Sequence, residues 1–169
     1  VGANKNSIKI IGDHTDKYIQ AYFQYDSKKT SGITISHLRF GDQPIKSPYY
    51  INKADFVACH NSSYLKKYDM ISDVKPGGTF LLDCSWDMAG LEENLPAKVK
   101  ATIAKNNIKF ITIDATTIAT KQIGNAKVKN TVLQSAFFSL ANILPKDEAI
   151  DYMKKAAYKS YIKKGQAIV

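Results

Sequence analysis

The sequence predicts an α/β fold: a three-layer α/β/α arrangement with a largely parallel, or mixed, Rossmann-like central sheet, in which residues 1–169 form a single domain that includes C-terminal helices at 128–164. Three observations predict it. Residues 54–114 alternate short apolar segments with amphipathic ones, the order that feeds parallel strands through crossover helices. Two earlier segments alternate apolar and polar residues with a period of two, as half-buried strands do. The length of 169 residues suits one domain with one sizeable core.

Taken in order, Ser7 to Ile11 follows Gly2-Ala3-Asn4-Lys5-Asn6 and fits either a strand or the opening turns of a helix, which periodicity does not separate. Lys17 to Tyr25 is a strand, with Ile19, Ala21, Phe23 and Tyr25 on one side and Gln20, Tyr22 and Gln24 on the other. Asp26 to Gly32 is a polar turn, and Ile33 to Phe40 resumes as a strand that neighbours the first in a sheet. Gly41-Asp42-Gln43-Pro44 ends it.

Phe56 to Cys59 reads as the next strand, after which Ser62-Ser63 caps a helix through Asp73. Lys75-Pro76-Gly77-Gly78 is a turn, and Thr79 to Asp83 a strand. Pro96 to Asn106 is an amphipathic helix stopped at Asn106-Asn107, and Lys109 to Asp114 is the third strand of this series. Val128 to Leu144 is a mostly apolar helix ended by Pro145. Lys146-Asp147-Glu148 opens a final helix to Lys164, with Ile150, Met153, Ala157 and Tyr161 on one face and lysines on the other. A surface helix of an α/β domain accounts for that pattern better than a membrane-binding one.

Composition narrows the class. Apolar residues at 44% and charged residues at 23% exclude disorder as the main state. The longest apolar runs fall far short of the roughly 20 residues of a membrane span, so no membrane partner is expected. The N-terminus carries no initiator Met and no signal-peptide pattern, and reads as a cut end. The apolar C-terminus, Gly165 to Val169, suggests that the native polypeptide continues. Two cysteines allow at most one disulfide and are too few for an iron–sulfur cluster, which makes the cytoplasm the expected compartment. His14, His37, His60, Cys59 and Cys84 show no short-range ligand spacing beyond adjacent Cys59-His60, so no metal is expected.

The net charge is +9, from 24 bases and 15 acids, and the stretch from Lys98 to Lys129 supplies two-thirds of it with seven lysines and one acid. Every base except Arg39 is Lys. Nucleic-acid readers lean on Arg for bidentate base contacts, so no nucleic-acid partner is expected. Solvated helix surface, or a contact with other domains, explains the basic stretch.

Open α/β sheets bind ligands outside the carboxyl ends of their strands. The residues there are Cys59-His60-Asn61, Asp83-Cys84-Ser85-Trp86 and Asp114-Ala115-Thr116-Thr117. A thiol beside His60 invites a nucleophile, but no acid is placed to orient the imidazole, and strand neighbours point to opposite sides. Gly2 to Asn6 offers a glycine, amides and a lysine that suit an anion at a helix start, without a full phosphate-loop fingerprint. The turn at 26–32 suits phosphate or carboxylate equally, or is a solvated hairpin tip.

Read together, Gly2 to Gly12, Tyr25 to Lys29, Ser36 to Gly41, Ala54 to Asn61, Gly78 to Leu82 and Gln134 to Phe138 resemble the third, gamma-type domain of pyruvate:ferredoxin (flavodoxin) oxidoreductase, in order and over nearly the whole chain. The resemblance implies an excised domain of an enzyme that oxidatively decarboxylates pyruvate to acetyl-CoA and CO2. That enzyme uses thiamine diphosphate with Mg2+ and iron–sulfur clusters, and passes electrons to ferredoxin or flavodoxin. It implies that those cofactors sit in other domains of the same polypeptide, that this fragment binds none of them alone and is inactive in isolation, and that coenzyme A is the substrate this domain helps bind. Carried over by resemblance, the coenzyme A residues are Gly2, Asn4, Lys5, Lys28 and Asn130, and Arg39 is an interdomain or ligand contact. No residue here is implied to be catalytic. The sequence departs from the family at Thr30-Ser31-Gly32, where a second glycine is expected after Lys29. The alternatives are a structural interdomain module or an unrelated nucleotide-binding α/β domain.

Overall fold

The computed structural model describes residues 2–25 and 32–162. The chain divides into two compact units, one of residues 1–50 with 134–169, the other of residues 51–133.

In the first unit, the opening segment is a helix, α1 (Gly2–His14), which settles the ambiguity at Ser7 to Ile11. Ile8, Ile10 and Ile11 are buried on it, and burial of that apolar stripe is what favours helix over strand. Ser7 is buried with its hydroxyl donating to the Ala3 carbonyl at 2.9 Å and accepting from Gln134 Nε2 at 3.0 Å. A buried hydroxyl and a buried amide thus satisfy each other. β1 (Tyr18–Tyr25) and β2 (Thr34–Gly41) pair antiparallel over their full length, from Tyr18 opposite Gly41 to Tyr25 opposite Thr34. The core of this unit gathers Ile10, Ile11, Phe138, Leu144, Ala149 and Met153, with Phe40 and Phe137 packed against it.

The second unit is a parallel sheet in the order β3 (Ala54–Cys59), β4 (Val74–Asp83), β5 (Lys109–Ile113). Phe80 to Asp83 in the central strand are all buried, as expected of a parallel strand covered on both faces. Phe80 and Leu82 join Cys59, Leu65, Ile71, Val74, Leu95, Val99 and Ile108 in one apolar cluster. α2 (Met88–Asn94), α3 (Ala97–Lys105) and α4 (Ala115–Ile123) connect or follow the strands. α5 (Lys129–Ala141) and α6 (Lys146–Tyr161) complete the chain.

The α/β class, the parallel strand series and the antiparallel ribbon match expectation, with the ribbon and the parallel strands in separate sheets. Two expected segments differ, and two further helices, α2 and α4, are present. The helix expected over Ser62 to Asp73 is two short 3-10 turns, Ser62–Lys66 and Ile71–Asp73, with Asn61 rather than Ser62 as the cap. Leu65 and Ile71 are both buried, yet six residues of continuous α-helix would set them about 120° apart around the axis. The break lets both enter the core. The expected turn at Lys75-Pro76-Gly77-Gly78 lies inside β4 as a bulge, since Ala54 pairs with Val74 but Phe56 with Thr79. Gly77 supplies the positive φ of 74° that the bulge requires. The short helices α2 and α4 are capped by Asp87 and Asp114, which accept from Gly90 N and Thr117 N. The final helix is described to residue 162, so its expected end at Lys164 lies outside the described residues. No helix among the described residues is long and apolar enough to cross a membrane.

Gly78 approaches the neighbouring backbone closely. A Cβ there would lie 2.8 Å from Val74 Cγ1, 2.9 Å from the Lys75 oxygen and 3.0 Å from the Asp55 oxygen. Gly78→Ala will therefore destabilise the protein by about 2 kcal/mol through overpacking, measured by urea denaturation. Gly41→Ala, whose methyl group meets nothing within 4 Å, serves as the control and will change stability by less than about 0.5 kcal/mol.

Candidate functional site

The three parallel strands end at Cys59, Asp83 and Ile113, and the chain after each end turns into one cleft of about 420 Å3. His60, Asn61 and Ser62 line it from the first strand, Asp83 to Trp86 from the second, and Asp114, Thr116 and Thr117 from the third. The parallel topology accounts for this convergence, because strands running the same way deliver all their carboxyl ends to one edge. Lys129, at the start of α5, adds the one cation among the described lining residues.

Alternation along β4 sets the chemistry of each residue. Phe80 and Leu82 face the apolar cluster, so Asp83 points to the opposite face, where it is 8% exposed. Its Oδ1 accepts from the Ala115 amide at 3.1 Å, and its Oδ2 accepts from Lys129 Nζ at 3.2 Å. Cys84 swings back to the apolar side, where Cys59 is also buried. Burial pushes both thiols up from their ordinary range, and the Cys59 thiol donates to the Asn61 carbonyl at 3.0 Å. Neither is a thiolate at neutral pH, so the arrangement lacks an activated sulfur nucleophile.

His60 is the group left open to a ligand. Its ring nitrogens have no hydrogen-bond partner among the described residues. Burial lowers its pKa, the Asp83 carboxylate opposes that, and the Lys129 ammonium adds to it, so the imidazole stays neutral at neutral pH. Asp114 caps α4, and hydrogen bonds from Thr117 hold its carboxyl below the usual carboxylate range. With two carboxylates against one ammonium, and the hydroxyls of Ser62, Ser85, Thr116 and Thr117 around them, the cleft suits a ligand rich in N–H and O–H donors better than a polyanion. Among the described residues no group of three His, Cys, Asp or Glu side chains is placed to hold a metal ion.

None of the residues carried over by resemblance is among the described residues that line the cleft. Gly2, Asn4 and Lys5 form the first turn of α1, where Gly2 and Lys5 are exposed and Lys5 Nζ sits 5.2 Å from the centre of the Phe23 ring. Arg39 on β2 donates from Nη1 to Gln20 Oε1 at 2.7 Å and stacks on Tyr49 at 5.1 Å. Asn130 is exposed on α5. Lys28 lies outside the described residues. Sequence reasoning passed over Lys129, because its partner Asp83 is 46 residues away and no local pattern couples them. Lys98 and Lys100, also in the basic stretch, pair with Asp69 and Glu92.

A model of the pyruvate ferredoxin/flavodoxin oxidoreductase family matches residues 1–169. The chain belongs to this family. It is 55% identical over 169 residues to the pyruvate:ferredoxin oxidoreductase of Moorella thermoacetica and 55% identical to the pyruvate-flavodoxin oxidoreductase of Enterobacter agglomerans, covering 100% of this chain in each case. The chain spans 14% of the length of these relatives. Among solved structures, the pyruvate oxidoreductase subunit PORC of Thermotoga maritima superposes with a TM-score of 0.68 over 99% of this chain and 80% of that one, at 18% identity. The gamma subunit of a keto/oxoacid ferredoxin oxidoreductase from Geobacter sulfurreducens gives 0.68 over 96% and 82%, at 16% identity. These superpositions show the same α/β fold.

The cleft electrostatics have a measurable signature. Asp83→Asn will lower the His60 pKa further, because the carboxylate that favours the imidazolium is gone, and Lys129→Met will raise it; NMR titration of the ring protons reads both. Because the native state disfavours the His60 cation, the unfolded chain takes up this proton first, and stability will fall as pH drops below about 6.5. Asp83→Asn will also cost about 2 kcal/mol, since it leaves Lys129 without its partner.

Proposed function

We propose that residues 1–169 work as one domain of an enzyme that converts pyruvate and coenzyme A to acetyl-CoA and CO2, releasing two electrons and a proton, the electrons passing to ferredoxin or flavodoxin. Within it this domain contributes to coenzyme A binding and to interdomain assembly. The observation that carries the reading is the match of the family over residues 1–169, joined to 55% identity with relatives named for this reaction.

The thiamine diphosphate with Mg2+ and the iron–sulfur clusters would supply decarboxylation and electron transfer in the whole enzyme. The residues of this chain do not fit a cluster: it has two cysteines, both with thiols pushed up by burial and Cys59 already bonded to a carbonyl. Its contribution is to binding. Coenzyme A carries a diphosphate and a 3′-phosphate, and the first turn of α1 suits such groups. That turn holds no acidic residue, its leading amides lack intrahelical partners, Lys5 is exposed, and Gly2 leaves open space where a side chain would stand. The cleft at the strand ends, lined by Asp83 and Asp114, is the poorer host for phosphates. Lys28 and Asn130 join the proposed site through the family resemblance.

Steady-state kinetics of the complete enzyme test this assignment. Lys5→Ala and Lys28→Ala will each raise the KM for coenzyme A by about tenfold, the loss of one charge-assisted phosphate contact, with the KM for pyruvate unchanged. Unaltered coenzyme A kinetics in both variants would refute it.

A further inference from the structure

One face of the β1–β2 ribbon differs in composition from the rest of this lysine-rich protein. In the antiparallel register Tyr18, Gln20, Tyr22 and Gln24 share a face with Gly41, Arg39, His37 and Ile35. Residues 47–50 lie against it. Gln20 Nε2 donates to the Ser47 carbonyl at 2.9 Å, and the Tyr50 ring stacks on His37 at 4.7 Å and meets Tyr22 edge-on at 6.2 Å. Tyr49 packs on the Arg39 guanidinium. These rings remain open to solvent, with Tyr49 62%, Tyr50 48% and Tyr18 49% exposed.

The face holds the sole arginine of the chain and four of its ten tyrosines, and its described residues include no lysine and no carboxylate. The buried cores of protein interfaces have this bias, enriched in Tyr and Arg and depleted in Lys, Asp and Glu. A solvated surface of this chain would show the reverse. Stacking already holds Tyr50 and Tyr49 in place, so covering them costs little further side-chain entropy.

We propose that this face docks against another part of the same oxidoreductase polypeptide, on a protein surface that offers a carboxylate to Arg39 and apolar or peptide groups to Tyr49 and Tyr50. The proposal rests on the reading of the chain as one domain of a longer enzyme, and it names the surface through which that domain is held. Two observations choose this occupant. Relatives extend far beyond the matched segment, which is 14% of their length, so most of such a polypeptide is available as the partner. Arg39 is hydrogen-bonded to the neutral Gln20 and has no carboxylate partner among the described residues, which leaves its charge to be met from outside. A second copy of the face fits poorly, because a twofold contact would present Arg39 to a surface that also lacks a carboxylate.

Hydroxyl-radical footprinting of the complete, native polypeptide reads the proposal directly. Tyr49 and Tyr50 are expected to react at least about fivefold more slowly than in the same polypeptide unfolded in guanidinium, as residues at an interface core do. Rates within about twofold of the unfolded ones, the behaviour of uncovered rings, would overturn it. A benzophenone side chain at position 49 is expected to cross-link within one polypeptide, to an Asp- or Glu-containing peptide outside residues 1–169. Cross-linking between two chains, or to co-purified nucleic acid, counts against it. Pyruvate-dependent electron transfer by the same preparation separates the two readings: an active enzyme with freely reactive tyrosines overturns the docking face alone, and an inactive one with protected tyrosines overturns the functional reading alone.

Discussion

The Asp83 carboxylate organises the second unit. It ends the central strand, caps the start of α4 through the Ala115 amide and fixes the start of α5 through Lys129. A carboxylate 8% exposed is tolerated only because both oxygens are engaged, one by a buried amide and one by an ammonium. Those two bonds also hold opposite charges beside His60, whose imidazole burial keeps neutral. Strand order, cleft and electrostatics thus meet at one side chain.

Charge is distributed by the same logic of partners. Lys98, Lys100 and Lys129 are paired with acids of the second unit, so part of the basic stretch is internal neutralisation rather than a surface for a polyanion. Exposed pairs of this kind add little stability. They do reduce the cationic field that the sequence total of +9 suggests. Arg39 stands apart from the lysines. Its planar guanidinium packs on Tyr49 and bonds Gln20, a geometry a lysine ammonium cannot reproduce.

Much of the fold was legible in the residues. Alternation at Lys17 to Tyr25 and the apolar runs at Phe56 to Cys59, Thr79 to Asp83 and Lys109 to Asp114 each became a strand, and Asn106-Asn107 ended α3 with Asn107 at a φ of 49°. The cleft was legible too, because parallel order alone places the residues after three strands at one edge. Where the reading failed, local signals competed with burial. Gly77-Gly78 has the composition of a turn, but pairing on both sides made it a bulge. Ser62 to Asp73 has the composition of a helix, but Leu65 and Ile71 enter one core only if the helix breaks.

By itself, then, the sequence determined the strand series, the edge where the cleft lies and the family, since these depend on periodicity and on residue order along the chain. Only the tertiary structure decided that Asp83 would be buried and paired with Lys129, that the thiols would pack against the apolar cluster, and that Tyr49 and Tyr50 would be locked in place yet exposed. The reason is physical. Burial and pairing are contacts between residues distant along the chain, and their energies depend on what surrounds each group after folding, which no local pattern of residue types specifies.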